Sequence, residues 1–399
     1  MIQRKEYLSK LLEWKEKKVI KVVTGVRRCG KSTLFALYQK HLRETGVEEN
    51  QIIHLNLEDM DFEALLDYQK LYAYIKERLC VGKYTYVFID EVQNCANFEK
   101  VVDSLFIKEN VDVYITGSNA YMLSGELATL LSGRYIKIDM LPLSFREYAE
   151  GVGGTKTKSE LLNDYLRFGS FPYIATSGQS FADTQDYLEG IYSSILIKDV
   201  AKREGITDVT LLENIVKTVA ASIGSPISVK KIADTIVSSG RKTSVNSVDC
   251  YLKALCDAYI FYKVDRYDIK GRQYLKTLGK YYIVDTGIRN LILSTRSFDL
   301  GHLLENIVYF ELLRRGYRVH IGKVAEKEVD FVAENQDGIL YVQVSASVLA
   351  ESTLERELAS LKAISDHHPK ILLTLDEIGV GNNYDGIRQL HLADWLLET

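Results

Sequence analysis

The chain has 399 residues, of which 46% are hydrophobic and 26% are charged, and its formal net charge at pH 7 is −4. These values are typical of a globular protein with two to four domains. No run approaches the roughly 18 apolar residues of a membrane span, and the polar first residues do not resemble a signal peptide. The five cysteines are odd in number and form no C-x-x-C pair, so we expect reduced thiols, a cytoplasmic location and no membrane partner.

The first predicted elements are a helix over residues 4–17 and a strand at Val19–Val23, followed by the loop Gly25–Ser32 with the sequence GVRRCGKS. A further helix is predicted from Thr33 onward. This is the G-x-x-x-x-G-K-[ST] phosphate loop between a strand and a helix. Its glycines allow a tight turn whose N–H groups face inward, and the helix N-terminus adds partial positive charge. The structural alternative is a chance glycine-rich turn.

This loop predicts ATP and Mg²⁺ as ligands. Lys31 would reach the β- and γ-phosphates, and Ser32 would bind Mg²⁺. Cys29 is interpreted as a spacer within the loop rather than as a redox sensor. The predicted nucleotide contacts are Gly25, Val26, Arg27, Arg28, Cys29, Gly30, Lys31, Ser32 and Thr33.

After a strand predicted at Ile52–Leu57, the apolar run Tyr86–Ile89 ends in Asp90 and Glu91. An unbroken apolar run indicates a strand buried on both faces, as in parallel sheets, where ligands bind beyond the carboxyl ends of the strands. Two acids at such an end form the Walker B pattern. Asp90 would hold hydrated Mg²⁺, and Glu91 would polarise the attacking water as a general base.

The next buried strand is predicted from Val111 and ends in the polar residues Thr116, Ser118 and Asn119. A polar side chain here would lie between the two Walker elements and help to position water. Ser118 and Asn119 fit this sensor role better than Thr116, and we assign it to Asn119. The alternative is a loop with an Asx turn.

Arg134 precedes a further strand predicted at Tyr135–Ile138. An arginine here would act in trans as a finger on the γ-phosphate of a neighbouring chain, which implies a homo-oligomer, or it would anchor the loop through a carboxylate. Ser144, with Glu147 three residues later, is a capping box that starts a helix. We predict that the nucleotide-binding core covers residues 1–150.

A glycine-rich stretch at residues 151–158 indicates a linker. Helical patterns then continue to Ser222. We predict an all-helical lid over residues 151–222.

Residues 223–298 form the next predicted domain, with a helix at Val229–Ser238, a second helix from about Ser244 to Tyr259, and two strands around the turn Lys270–Arg272. This order is typical of a winged helix-turn-helix. Residues 221–282 carry eleven Lys and Arg against five Asp and Glu, a net charge of +6, which favours binding to DNA phosphates rather than sequence reading. The alternative is a packing module with solvated charge. The candidate DNA contacts are Arg241, Lys242, Ser244, Asn246 and Ser247.

Residues 299–399 form the last predicted domain. Residues 300–399 carry nine Lys and Arg against sixteen Asp and Glu, a net charge of −7, so bulk charge does not indicate a second DNA-binding surface. The patterns predict a helix at Leu303–Leu313, three strands, a late helix and one more strand. The whole chain is therefore predicted to be an α/β protein.

The phosphate loop, Asp90-Glu91, Thr116–Asn119 and the run Leu141–Glu147 together resemble the bacterial and archaeal AAA+ ATPases related to the STAND class, which carry a C-terminal domain of unknown function. The resemblance covers essentially the whole chain. It implies an ATP-hydrolysing P-loop core with a parallel sheet, a helical lid, a winged helix and a C-terminal α/β domain similar to PD-(D/E)xK nucleases.

The nuclease resemblance implies a Glu on a helix, an Asp on a strand and a Glu-x-Lys motif on the next strand, where carboxylates hold the metal and lysine helps to activate water. Glu305 and Asp330 match the first two positions. Gln343 stands at the third, and the motif lysine is missing, with Lys323 or Lys327 as substitutes from elsewhere. We interpret Glu305, Asp330 and Gln343 as a vestigial nuclease site on a fold kept for binding or assembly.

The leading hypothesis is a Mg²⁺-dependent ATPase whose nucleotide state drives the winged-helix and C-terminal module on DNA. The first alternative is a STAND-like nucleotide switch for protein assembly or signalling, without DNA cleavage. The second alternative is a nuclease licensed by ATP.

Overall fold

The computed structural model describes residues 2–120, 131, 133–178, 181–271, 273–294 and 299–398. Within these residues, the contacts separate two compact units: unit 1 is Met1–Pro142 with Asp257–Tyr259, and unit 2 is Leu143–Cys256 with Ile260–Thr399. The four predicted domains, with boundaries near residues 150, 222 and 298, stay a prediction. Among the described helices, none is both long and apolar enough to cross a membrane.

The described part of unit 1 contains a five-stranded sheet. Its strands are β1 (Ile20–Thr24), β2 (Ile52–Asn56), β3 (Thr85–Asp90), β4 (Val111–Gly117) and β5 (Tyr135–Asp139). The strand order is β2-β3-β4-β1-β5, and every pairing is parallel. Strands β1 and β3 are buried along their whole length, as the unbroken apolar run of β3 predicts. Lys21 within β1 is buried in an ion pair with Asp112 on β4. The carboxyl ends of the strands therefore meet at one edge of the sheet.

Helices of unit 1 cover the faces of this sheet. They are α1 (Lys5–Glu13), α2 (Lys31–Glu44), α3 (Tyr68–Glu77) and α4 (Phe98–Ile107), with 3₁₀ turns at Glu49–Gln51, Met60–Leu66 and Val92–Asn94. The apolar side chains of α3 and α4, such as Leu71 and Leu105, pack in one core with those of the strands. Helix α1 is shorter than the predicted residues 4–17.

Unit 2 contains helices along its described length, first as a continuous series and then between strands. They are α5 (Phe145–Val152), α6 (Lys158–Phe168), α7 (Pro172–Ser177), α8 (Phe181–Ser194), α9 (Val209–Ala221), α10 (Val229–Ser238), α11 (Val245–Asp257), α12 (Thr286–Leu293), α13 (Leu300–Arg314), α14 (Glu351–Lys362) and α15 (Leu392–Leu397). Helix α8 continues as a π-helix at Ile195–Ala201 and a last turn at Lys202–Glu204. The capping box before α5 is confirmed, because the backbone N–H of Glu147 donates to Ser144 Oγ and that of Ser144 donates to Glu147 Oε2.

An eight-stranded sheet occupies the rest of the described part of unit 2. Its strands are β6 (Phe261–Asp268), β7 (Gln273–Ile283), β8 (Arg318–Val324), β9 (Lys327–Asn335), β10 (Gly338–Val344), β11 (Lys370–Thr374), β12 (Asn383–Tyr384) and β13 (Ile387–His391). The order is β12-β13-β11-β10-β9-β8-β6-β7.

The ribbon of β6 and β7 is continuous with the C-terminal strands. Residues Arg266–Asp268 of β6 pair in parallel with Ile321–Lys323 of β8. The predicted order of two helices and an antiparallel ribbon is found in α10, α11, β6 and β7, but the ribbon is also part of a larger sheet. Its assignment as a winged helix stays a prediction, and Arg272 in the predicted basic turn lies outside the described residues.

Candidate nucleotide-binding site

The loop between β1 and α2 has a backbone that depends on its glycines. Gly25 has a φ of 153°, and a Cβ atom on it would lie 2.1 Å from the carbonyl oxygen of Met140. Gly30 has a left-handed φ of 105° and precedes α2 as its N-cap, and within the described residues no side chain caps the helix there. The N–H groups in the first turn of α2, with their partial positive charge, can therefore bind an anion.

The ammonium group of Lys31 lies inside this loop. The Lys31 side chain is buried, and its Nζ donates to the carbonyl oxygens of Gly25 at 3.0 Å and Val26 at 3.3 Å. The same Nζ lies 3.6 Å from Oε1 of Glu91. The fold thus brings the lysine at the start of α2 next to the acid that follows β3.

Thr116 at the end of β4 joins the two acids at the end of β3. Its Oγ1 hydroxyl donates to Oδ1 of Asp90 and accepts from the backbone N–H of Glu91 at 2.9 Å. Asp90 is buried, and within the described part of the chain its Oδ2 has no hydrogen-bond partner. The sequence favours Ser118 and Asn119 over Thr116 for the sensor role between the two Walker elements, whereas it is Thr116 that contacts both acids directly.

Glu91 is held in an unusual backbone conformation and in a charged setting. Its φ is 50°, a left-handed value that costs a non-glycine residue about 1–3 kcal/mol. Burial by itself would raise the pKa of the Glu91 carboxyl, but the Lys31 ammonium and a hydrogen bond from Gln93 Nε2 outweigh it and hold the pKa below its usual value. A carboxylate that stays ionised at neutral pH can accept a proton from water.

The polar residues after β4 lie beside this network. Ser118 Oγ accepts from Gln93 Nε2 at 3.4 Å, and both Ser118 and Asn119 are buried. The sensor role of Asn119 stays a prediction. The sequence does not single out Gln93, because a lone amide two residues after the Walker B acids follows no motif.

The predicted nucleotide contacts that lie between Gly25 and Gly30 in the phosphate loop differ in their burial and partners. Val26 and Cys29 are buried. Burial raises the pKa of the Cys29 thiol, which supports a spacer role rather than a redox role. Arg27 donates to Oε1 of Glu58 at 2.8 Å.

Arg28, Ser32 and Thr33 are exposed, and Arg28 has a left-handed φ of 66°. Arg134 forms an ion pair with Asp103 on α4, in which the two side chains are 44% and 36% exposed. This pair matches the loop-anchor alternative, and a finger role in trans stays a prediction.

Arg4 contacts the phosphate loop, although the sequence does not single it out. Its buried guanidinium donates from Nη1 to the carbonyl oxygen of Cys29 at 3.1 Å and from Nη2 to that of Leu141. The hydroxyl of Tyr7 accepts from the backbone N–H of Leu141 at 3.1 Å. An arginine beside an amphipathic helix gives no local pattern from which this contact could be predicted.

In unit 2, two of the predicted nuclease-type residues lie near a lysine. Nζ of Lys280 on β7 lies 3.1 Å from Oε2 of Glu305 on α13 and 2.8 Å from Oε1 of Glu328 on β9. Asp330 is near the same ammonium. The lysine in this cluster is therefore Lys280, and Lys327, a substitute expected from the sequence, donates instead to a backbone carbonyl on α14.

Gln343 supports this cluster from β10. Its Nε2 donates to Oε2 of Glu357 at 2.8 Å, and its Oε1 accepts from the backbone N–H of Asp330 at 3.3 Å. Oδ2 of Asp330 accepts from the backbone N–H of Val344 at 2.8 Å. Among the side chains that the structure describes, no group of three or more His, Cys, Asp or Glu is arranged to hold a metal ion.

The candidate DNA contacts lie around the start of α11. Arg241 forms an ion pair with Asp208, which also caps α9. Ser244 accepts a backbone hydrogen bond in the first turn of α11 and forms its cap. Lys242 and Asn246 are exposed. Arg241 and Ser244 thus already have partners inside unit 2.

Two family models match the chain. A model described as an AAA domain matches residues 17–149, and a model described as a domain of unknown function (DUF8612) matches residues 159–299. The first match contains the phosphate loop and both Walker B acids.

Two relatives and one solved structure are similar over most of the chain. An uncharacterised protein of Haemophilus influenzae is 39% identical over 402 residues, which cover 100% of this chain and 99% of that protein. An uncharacterised protein of Methanocaldococcus jannaschii is 31% identical over 399 residues, which cover 94% of this chain and 85% of that protein. A Walker-type ATPase of Pyrococcus abyssi has 15% identity and a TM-score of 0.50, over 73% of this chain and 96% of its own, and shows a shared fold alone. The chain belongs to one family with the Haemophilus and Methanocaldococcus proteins, it contains an AAA domain at residues 17–149, and its five-stranded sheet has the parallel fold of P-loop ATPases.

Proposed function

We propose that unit 1 binds ATP with Mg²⁺ and hydrolyses its terminal phosphate. The observation that carries this proposal is the convergence of Lys31, Asp90, Glu91 and Thr116 at the carboxyl edge of a parallel sheet. Ligands of open α/β sheets bind at this edge. The AAA-domain match over the same residues supports the proposal.

The residues present fit a hydrated Mg²⁺ ion. Oδ2 of Asp90 is buried and has no partner among the described residues, a costly state for a carboxylate oxygen unless a cation or its water shell binds it. Ser32 follows Lys31 in the first turn of α2 and supplies a hydroxyl oxygen, which suits the same ion. Bound there, Mg²⁺ would neutralise charge on the β- and γ-phosphate oxygens.

Lys31 and Glu91 would carry out the remaining chemistry. Lys31 would exchange its bonds to the carbonyl oxygens of the phosphate loop for bonds to phosphate oxygens. Glu91 would accept a proton from the attacking water, because its carboxylate is ionised at neutral pH. Thr116 would orient both acids, and the products would be ADP and phosphate.

The test is ATP binding and turnover by wild type, Lys31→Ala and Glu91→Gln. Lys40→Ala is the matched control, since Lys40 lies exposed on the same helix as Lys31. We expect Lys31→Ala to lose both ATP binding and turnover. We expect Glu91→Gln to keep ATP binding and to lose about 10²–10⁴-fold in turnover, the usual contribution of a general base.

Chelation of Mg²⁺ with EDTA is expected to abolish turnover by wild type. Undiminished turnover by both Lys31→Ala and Glu91→Gln would refute the assignment of the site. ATP binding without measurable turnover by wild type would reject the hydrolase and favour the STAND-like switch.

We also propose that the start of α11 contacts the phosphates of duplex DNA and that this contact changes ATP turnover. Lys242 and Asn246 are exposed there, and Lys230 and Lys231 are exposed on α10. The available charge is lower than the sequence count suggests, since Arg241 and Lys280 are paired with acids. This favours a contact that is weak and independent of sequence.

Lys242→Glu tests this contact, with Lys253→Glu, exposed farther along α11, as the control. We expect Lys242→Glu to weaken duplex binding and to reduce the salt dependence of the binding constant by about one unit of slope, whereas the control changes little. Equal binding by wild type and Lys242→Glu, at low and high salt, would reject the contact.

A further inference from the structure

Lys280 lies in a place where an unpaired lysine would be unstable. Its side chain is 3% exposed on β7, and its Nζ contacts Oε2 of Glu305 at 3.1 Å and Oε1 of Glu328 at 2.8 Å. Asp330, two residues farther along β9, adds a third carboxyl group. Loss of hydration makes a buried ammonium costly unless carboxylates surround it. One helix, α13, and one strand, β9, thus supply acids to one cation.

The carboxyl groups in this cluster outnumber the single ammonium group. Burial by itself would lower the pKa of Lys280, but Glu305, Asp330 and Glu328 outweigh it and raise that pKa, so the lysine stays charged at neutral pH. Burial raises the pKa of both Glu305 and Asp330. The hydroxyl of Tyr282 also donates to Oε2 of Glu305, at 3.2 Å.

The backbone of unit 2 covers the cluster closely. Gly224 has a left-handed φ of 70°, and a Cβ atom on it would lie 2.7 Å from the ring of His302 and 3.2 Å from Oε2 of Glu305. His302 in turn pairs with Asp299 through Nδ1. A residue larger than glycine would displace these side chains, so the backbone closes over Glu305, whereas the side chain of Glu328 is 32% exposed.

We propose that this cluster is a divalent-cation site in which the ammonium of Lys280 takes the place of the metal ion. Clustered carboxylate oxygens are the ligands that Mg²⁺ and Mn²⁺ prefer. The contacts of 2.8 Å and 3.1 Å to Nζ are longer than metal–oxygen bonds of about 2.0–2.2 Å, so the acids stand too far apart for an ion while the lysine is present.

Two consequences follow from this exchange of cations. Lys280 fastens β7 to α13 and β9 without any metal. Wild-type protein also has no metal-dependent cleavage of nucleic acid at this cluster, because the position of the ion is filled by the chain itself. Removal of the lysine, by contrast, opens the acids to a metal.

The test measures Mn²⁺ binding by electron paramagnetic resonance, without nucleotide, in wild type and in Lys280→Met. Methionine has a side chain of similar length and no charge. We expect Lys280→Met to gain one Mn²⁺ site that wild type lacks. At ten times its dissociation constant, Mn²⁺ should raise the melting temperature of this variant by about 3 °C. The added substitution Asp330→Asn should remove the gained site. Lys263→Met, which alters an exposed lysine on β6, is the matched control and should gain nothing.

Lys280→Met leaves buried acids without a counter-ion, so a second comparison uses proteins that keep the lysine. Wild type and Asp330→Asn should bind Mn²⁺ identically. A Mn²⁺ site of wild type that Asp330→Asn removes would overturn the proposal, as would Mn²⁺-dependent plasmid cleavage that Asp330→Asn abolishes. A folded Lys280→Met protein without a new Mn²⁺ site would overturn it as well.

Discussion

At the end of β4, the hydroxyl of Thr116 joins the side chain of Asp90 to the backbone of Glu91. Its donated hydrogen bond occupies Oδ1 of Asp90 and leaves Oδ2 for the expected cation. Its accepted hydrogen bond supports Glu91 in a left-handed conformation that is strained for a non-glycine residue. One hydroxyl group therefore positions the proposed metal ligand and the proposed base together.

Replacement of Thr116 by valine removes this hydroxyl and keeps the side-chain shape. We expect Thr116→Val to lower kcat for ATP by about 10-fold or more, because an unmade hydrogen bond to a charged group costs about 1.5–3 kcal/mol, while the Kd for ATP changes little. Thr116→Ser, which restores the hydroxyl, is the control and should recover most of the turnover. Equal kcat values for Thr116→Val and wild type would contradict this role.

The cysteines provide a second prediction at the residue scale. Cys29 and Cys95 are buried, and burial raises the pKa of Cys29 and raises that of Cys95 to about 11. Because these pKa values lie above pH 8, both thiols stay neutral there, with about one thiolate in a thousand for Cys95. Alkylation of native protein at pH 8, read by mass spectrometry, should label exposed Cys250 and spare these two. Labelling of Cys29 at the rate of Cys250 would contradict its buried position.

Helix α1 reaches the phosphate loop through its N-cap residue, Arg4. The guanidinium bridges the carbonyl oxygens of Cys29 and Leu141, and it also lies 4.8 Å from the centre of the Tyr7 ring. Each of these hydrogen bonds gives a partner to a backbone carbonyl oxygen that would otherwise be buried without one. Helix α1 thus contributes order to the loop rather than chemistry.

We expect Arg4→Ala to weaken ATP binding by about tenfold, since charge-assisted hydrogen bonds to the loop contribute about 1.5–3 kcal/mol, with a smaller effect on kcat at saturating ATP. Titration with a fluorescent ATP analogue would measure the change. Lys5→Ala, at an exposed position in the next residue, should bind ATP like wild type. A loss of kcat without a loss of affinity would assign Arg4 to the chemical step instead.

At the scale of elements, local patterns predict the strands and the phosphate loop well. The run at Tyr86–Ile89 lies within one residue of β3 because burial on both faces leaves an unbroken apolar signal. The run at Ile52–Leu57 lies within one residue of β2, where buried residues alternate with more exposed ones. The contact of Thr116 could not be predicted in this way, since it depends on the register between β3 and β4. No local pattern indicates the role of Lys280, because its ion-pair partners lie 25 residues or more farther along the chain.

The whole chain divides into two units, each with its own sheet. We therefore expect two unfolding transitions. Mg²⁺–ATP at 100 times its Kd should raise the transition of unit 1 by about 5–10 °C, because binding to the folded state alone stabilises it. Lys280→Met should lower the transition of unit 2. Differential scanning calorimetry would measure both, and a ligand-induced shift of a single merged transition would contradict the expected independence.

At the scale of the whole molecule, changes in composition along the sequence indicate segments, but they do not predict which strands pair. The basic and acidic segments around residues 221–282 and 300–399 suggest separate domains, yet β6 and β8 pair in one sheet. Hydrogen bonds between strands distant in sequence leave no local pattern. Charge counts mislead for a related reason, since Lys280 belongs to the basic segment and both of its ion-pair partners belong to the acidic one.

Strand β6 has β7 on one side and β8 on the other, although β8 begins 50 residues after β6 ends. A truncated protein that stops near residue 298 would keep the ribbon and lose β8. The uncovered backbone of β6 would then present free N–H and C=O groups, which recruit strands from other copies. Such a truncated protein should self-associate. In a DNA-binding experiment with the isolated helices and ribbon, this aggregation could be mistaken for a specific assembly.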